Sequence, residues 1–148
     1  MKSLLFSVLI GLLSACTTQP AVMVRGNIMS QADLDQGQKI YVQSCASCHG
    51  AQGEGQFPDA PREPDATGRR GAPPHTGEGH TWHHGDEMLI EYVRDGGMGD
   101  PESFYPMPAF GGQLTETDII HVIAYIKTMW SDTQRAYQDQ ATASETLK

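Results

Sequence analysis

Large aliphatic side chains are scarce in this sequence. Leu, Ile, Val and Phe number 27 among 148 residues, and eight of them fall in the first 13, leaving 19 (about 14%) for the other 135. A chain so poor in apolar bulk, with a net charge of −8, cannot offset its conformational entropy by side-chain burial alone. Its core calls for a cofactor. Basic residues are few as well, 10 Lys plus Arg against 18 Asp plus Glu, which argues against a nucleic-acid partner, since that needs a basic surface to displace counterions. After residue 13 no apolar run is long enough to span a bilayer.

The start of the chain reads as an export signal. Lys2 precedes an apolar run over residues 4–13, which is followed by Ser14, Ala15 and Cys16; the run is too short for a spanning helix. Leu13-Ser14-Ala15-Cys16 resembles a bacterial lipoprotein cleavage site. That resemblance implies that residues 1–15 are removed and that Cys16 carries lipid, anchoring the protein to a membrane of the cell envelope on its periplasmic face. The alternative is an ordinary secretory signal cut elsewhere, leaving a free thiol. Thr17, not Asp, follows the cysteine, which in the enterobacterial version of this system favours the outer membrane. Residues 16–32 are polar, interrupted by Pro and Gly and without periodicity, so they are expected to form a flexible tether.

Residues 45–49 are Cys-Ala-Ser-Cys-His, the spacing of a c-type haem attachment site. Two thiols three positions apart can add to the two vinyl groups on one haem edge, and the adjacent His49 is then held beneath the iron. A thioredoxin-type dithiol would follow a β-strand, and none is expected before Cys45. A Cys₂His₂ zinc site would need two histidines 12 to 15 residues further on, and none is there. The three cysteines are all used: one for lipid and two for thioethers, with no disulfide and no stray thiol.

The segment Gly37-Gln-Lys-Ile-Tyr-Val-Gln-Ser-Cys-Ala-Ser-Cys-His49 resembles the N-terminal helix and haem motif of the class I cytochrome c family. Two further family signatures follow in order: Tyr105-Pro-Met107-Pro-Ala-Phe110, the loop that brings a Met to the iron, and Ala124-Tyr125-Ile126-Lys127 on the C-terminal helix. The resemblance implies an all-α cytochrome c fold, three or more helices wrapped around one covalent haem c with long Gly- and Pro-rich loops. It also implies His49 and Met107 as axial ligands, and Pro73 or Pro74 as carbonyl acceptor for the proximal imidazole. Gly37 would allow close approach of the crossing helix. Met98 is the competing ligand; Met107 is favoured because Pro106 and Pro108 restrict its loop.

Along the chain, helices are expected at 33–44 and at 86–95, the second stopped by Gly96 and Gly97, and from Thr115, which has capping-box spacing with Asp118, to near Trp130. The cytochrome domain is thus expected at 33–130. Residues 131–148 are expected to be a polar tail, frayed or disordered. His121 is expected to face solvent. Between them, residues 50–85 are nearly free of aliphatics, and such a loop is tolerable only if it wraps a cofactor.

Four histidines, His75, His80, His83 and His84, crowd this loop. They could bind copper or zinc, or supply an iron ligand or acid–base group to a haem enzyme such as a peroxidase or reductase. The plainer reading has Trp82 covering a haem edge while its neighbours bond propionates or face water. The leading expectation is a one-electron carrier between redox proteins, not an enzyme, with acidic charge suited to partners that have basic docking surfaces.

Overall fold

The computed structural model describes residues 21–97 and 99–145. The expected leader, Cys16 and Met98 lie outside these residues.

Two capping boxes start the two central helices. Ser30 accepts from the amide of Asp33, whose carboxylate returns a bond to the Ser30 amide, so α1 runs Gln31–Ser44. Thr115 and Asp118 do the same for α4, Glu116–Lys127. Each box satisfies amides that a helix start otherwise leaves unpaired. Between them lie the one-turn α2, Ala46–His49, and α3, Asp86–Asp95. Helices α1 and α4 cross at Gly37. A Cβ there would collide with the carbonyl oxygen of His121 and touch the Cβ of Tyr125. Tyr41, one turn on, is fully buried with its ring 5.4 Å from that of Tyr125. His121 does not simply face solvent: its Nε2 lies 3.3 Å from the Asp33 carboxylate.

The expected tether is corrected by the fold. Residues 23–24 and 27–28 form a small antiparallel hairpin, β1 and β2, with Met23 opposite Ile28. Its turn residues Arg25 and Gly26 both have positive φ, 53° and 74°, the conformation that matches hairpin twist. The left-handed backbone is disfavoured for an arginine. It is held by the Arg25 backbone N–H, which donates a hydrogen bond of 2.6 Å to the Asp86 carboxylate, and by guanidinium hydrogen bonds to Glu87 and Glu116. Val22 and Val24 are buried in the core. The sequence hides this because each strand has only two residues.

The expected C-terminal tail is corrected too. Residues Asp132–Glu145 form α5, packed against α3 and the 3-10 turn Thr81–His83. Helix α3 has no side-chain cap of its own; the Glu145 carboxylate accepts from the amides of Glu87 and Met88 at 3.0 and 3.2 Å. Gln138 is fully buried and donates to Asp86 at 2.8 Å. Asp86 also pairs with buried Lys127 at 2.6 Å, and Lys127 donates to the Met23 carbonyl. One carboxylate therefore joins the hairpin, α3, α4 and α5. An apolar-periodicity reading misses α5 because its anchoring contacts are polar. Among the described residues no helix is long and apolar enough to cross a membrane.

Candidate haem site

The helices enclose a cavity of about 640 Å³, within the roughly 300–1,000 Å³ of cofactor pockets. Cys45, Cys48, His49 and Met107 all line it, with Leu89 and Val93 of α3 and Val122, Ile123 and Ile126 of α4 among its apolar walls.

His49 ends α2 and is buried. Its Nδ1 is 2.9 Å from the carbonyl oxygen of Pro73. A carbonyl only accepts, so Nδ1 carries the proton and Nε2 is left as the lone-pair nitrogen. Pro74 does something else: its carbonyl accepts from the Thr81 hydroxyl. Burial lowers the pKa of His49 and the Pro73 carbonyl opposes part of that shift. The turn after His49 is closed by the amide of Gly55 bonding to the His49 carbonyl, and by the Tyr41 hydroxyl bonding to that of Gly50.

Cys45 is buried and Cys48 exposed, both as thiols. Burial, then the neighbouring Cys48, push Cys45 up to about 11, which does not suit a thiolate-based dithiol.

The Met107 loop is held by backbone. Its carbonyl accepts from the Gly97 amide at 3.2 Å, and the Phe110 and Tyr105 amides bond to the carbonyls of Val93 and Arg70. Gly96 has φ 90°, and a Cβ on it would lie 2.8 Å from the Met107 carbonyl. The Gly-Gly pair that reads as a helix stop is thus also the seat of this loop.

The histidine cluster disperses. His75 stacks on His49 with ring centres 4.0 Å apart and bonds Thr81 through Nδ1. Burial, then His49, hold its pKa well below the usual range. His83 stacks on Trp82 and meets Tyr137 of α5. Only His80 and His84 join His75 on the cavity wall. Among the described residues no three His, Cys, Asp or Glu side chains converge on a metal-sized site. Trp82, expected at a haem edge, is not part of the cavity wall. Its indole N–H donates to the Gly79 carbonyl at 3.1 Å instead. What sequence reasoning missed is the dependence of this loop on α5, whose Gln134 and Gln138 bond the carbonyls of Gly77 and His84.

The donor set fits haem c: two thiols on one wall, a neutral imidazole nitrogen, a soft thioether and an apolar enclosure. Comparison with known proteins agrees. Residues 32–126 match the family described as cytochrome c oxidase, cbb3-type, subunit III. Cytochrome c6 of Picosynechococcus sp. is 30% identical over 112 residues, covering 76% of this chain and 86% of that protein. Cytochrome c6 of Gracilaria tenuistipitata is 28% identical over 95 residues, covering 64% and 71%. The crystal structure of cytochrome cL from Methylophaga aminisulfidivorans aligns at a TM-score of 0.47 and 16% identity, over 82% of this chain and 88% of that one. A CxxCH helix, a Met loop and a crossing C-terminal helix enclose one cavity in a chain that matches this family over most of its length, and it belongs to the class I c-type cytochromes, which carry covalent haem c.

Proposed function

We propose that this cytochrome is a one-electron carrier, with thioethers at Cys45 and Cys48 and axial ligation by His49 and Met107. The observation that carries this reading is that all four side chains line one apolar cavity while the Pro73 carbonyl occupies the other nitrogen of His49. The haem supplies the one-electron iron couple. The chain's own residues do the rest: Pro73 orients the imidazole and raises its basicity, and the aliphatic residues of α3 and α4 exclude water. Pro106 and Pro108 reduce the entropy lost when a weak thioether binds. A thioether stabilises ferrous over ferric iron, so this pair raises the potential relative to two imidazoles. If His49 and Met107 both hold the iron, no position on it would be left for a substrate, which favours a carrier over an enzyme.

At neutral pH the oxidised protein should show the weak red band of Met–iron ligation. Met107→Ala should abolish it and lower the potential by part of the about 0.8 V over which axial ligands act. A parent-like spectrum in Met107→Ala would overturn the ligand assignment.

The envelope location rests on the leader and Cys16. Cys16→Ser should release the exported protein from membranes with its haem spectrum intact. The redox partners are proposed to present basic docking surfaces. Docking should then slow as salt rises, since screening shortens steering to about 10 Å at 0.1 M.

A further inference from the structure

We propose that the lipid on Cys16 holds this domain on a short leash, so that any membrane-bound protein it exchanges electrons with is seated in the same membrane. This rests on the lipid anchor proposed above, whereas the length of the leash follows from the fold.

Free chain ends where the hairpin begins. Val22 and Val24 are buried in the core, and the Val22 carbonyl accepts from the Met29 amide at 2.9 Å. The Met23 carbonyl accepts from Lys127 Nζ at 2.6 Å, and the Arg25 N–H donates to the Asp86 carboxylate at 2.6 Å. Lys127 and Asp86 are themselves a buried pair joining α4 to α3. Peeling the hairpin away would expose two valines and take a hydrogen bond from each member of that pair, so the docked form is favoured.

Only six residue steps separate Cys16 from Val22. At about 3.3–3.6 Å per residue the two can stand no more than about 22 Å apart, whatever path joins them. A tether free as far as residue 32 would reach more than twice that distance. The fold thus shortens the reach expected from the polar sequence.

The fold also sets which end of the domain is near the lipid. Val22 meets the start of α1 through Met29, next to the Ser30 cap. Cys45, which bears the haem, caps the other end of this 14-residue helix, about 21 Å away at 1.5 Å per residue. The attachment edge of the haem is therefore confined to within about 45 Å of the membrane surface. A carrier held in this way moves along the membrane and not away from it. A partner seated in the same membrane can present a docking site within that layer, where confinement raises its effective concentration and lets weak, quickly released docking suffice.

The test uses full-length, lipid-modified, haem-loaded protein on phosphatidylcholine vesicles that carry a trace of headgroup-labelled fluorescent lipid, whose emission the haem quenches at short range. The parent is compared with a variant having about 20 Gly and Ser residues inserted between Thr18 and Gln19, which adds about 25 Å of root-mean-square reach outside the folded part. The same insertion appended after Lys148 serves as control. Quenching per bound protein should fall severalfold in the leash variant and stay at the parent level in the control, with the haem spectrum unchanged in all three. Equal quenching in parent and leash variant overturns the short leash while leaving the anchor standing. Parent protein that fails to float with the vesicles overturns the anchor and the leash together. Hydrogen exchange on the vesicle-bound parent should find the amides of Arg25 and Met29 protected; exchange at the free-chain rate shows an undocked hairpin and overturns the leash. The restriction on partners is read with ferrocenium joined to a lipid headgroup by a flexible polyether spacer, which takes one electron from the reduced haem. Oxidation should be about a hundredfold slower when ferrocenium and cytochrome are on separate vesicles than when they share one; equal rates overturn the restriction.

Discussion

Two histidine-bearing segments face one cavity and are positioned by different means. Residues 45–49 take their shape from their own neighbourhood. The amides of Cys48 and His49 bond to the Cys45 carbonyl, and the Cys45 amide bonds to that of Tyr41. Residues 80–84 depend on side chains far along the chain: Gln138 reaches the His84 carbonyl from 54 residues away, and Gln134 reaches Gly77 from 57. A locally built segment survives loss of distant parts. One built by a remote helix is only as ordered as the docking of that helix.

The largest effect expected comes from the local segment, because it holds the haem that completes the core. Cys45→Ser/Cys48→Ser should abolish covalent haem on a denaturing gel and leave far-UV dichroism of a largely unfolded chain. A cooperative, well-packed double variant would show that the polypeptide alone suffices.

Next is the junction on which the second segment hangs. Asp86→Ala strands buried Lys127 and removes a partner of Gln138, which should cost about 3–5 kcal/mol in chemical denaturation of the haem-loaded protein. Gln138→Ala should cost about 1–3 kcal/mol by unsatisfying buried groups. It should also shift the NMR signals of His84 while those of His49 stay in place. Equal shifts at both histidines would erase the contrast between the segments.

The smallest effect concerns the exposed turn around Asp65, which Tyr105 ties to the Met107 segment. Asp65 is lowered to about 2, first by the Thr67 hydroxyl and then by the Tyr105 hydroxyl. A carboxylate depressed when folded contributes stability above its unfolded pKa of about 3.9, and that contribution is lost as pH falls through about 2. Asp65→Asn should therefore flatten the pH dependence of stability between about 4 and 2, as read from denaturation midpoints.

The legible parts of this molecule are those whose cause is short-range. The α3 range, the Thr115–Asp118 cap and the pairing of Gly37 with the crossing helix all follow from residues a few positions apart or from a family pattern. The start of α1 lies two residues earlier than expected because Ser30 and Asp33 form a capping box with Asp in place of the usual Glu. The hairpin and α5 were missed for a different reason. Neither has enough apolar residues to announce a buried face, and both dock through polar groups that meet at Asp86.

By itself the sequence determined the chemistry of the site, since the CxxCH spacing and the shortage of aliphatic residues demand a covalent haem and leave few other means of filling a core. Only the tertiary structure decided which proline carbonyl meets His49, which histidines reach the cavity, and that the last helix belongs to the domain. These outcomes depend on hydrogen bonds between groups some 50 residues apart, and a linear pattern carries no record of which polar partners folding will bring together.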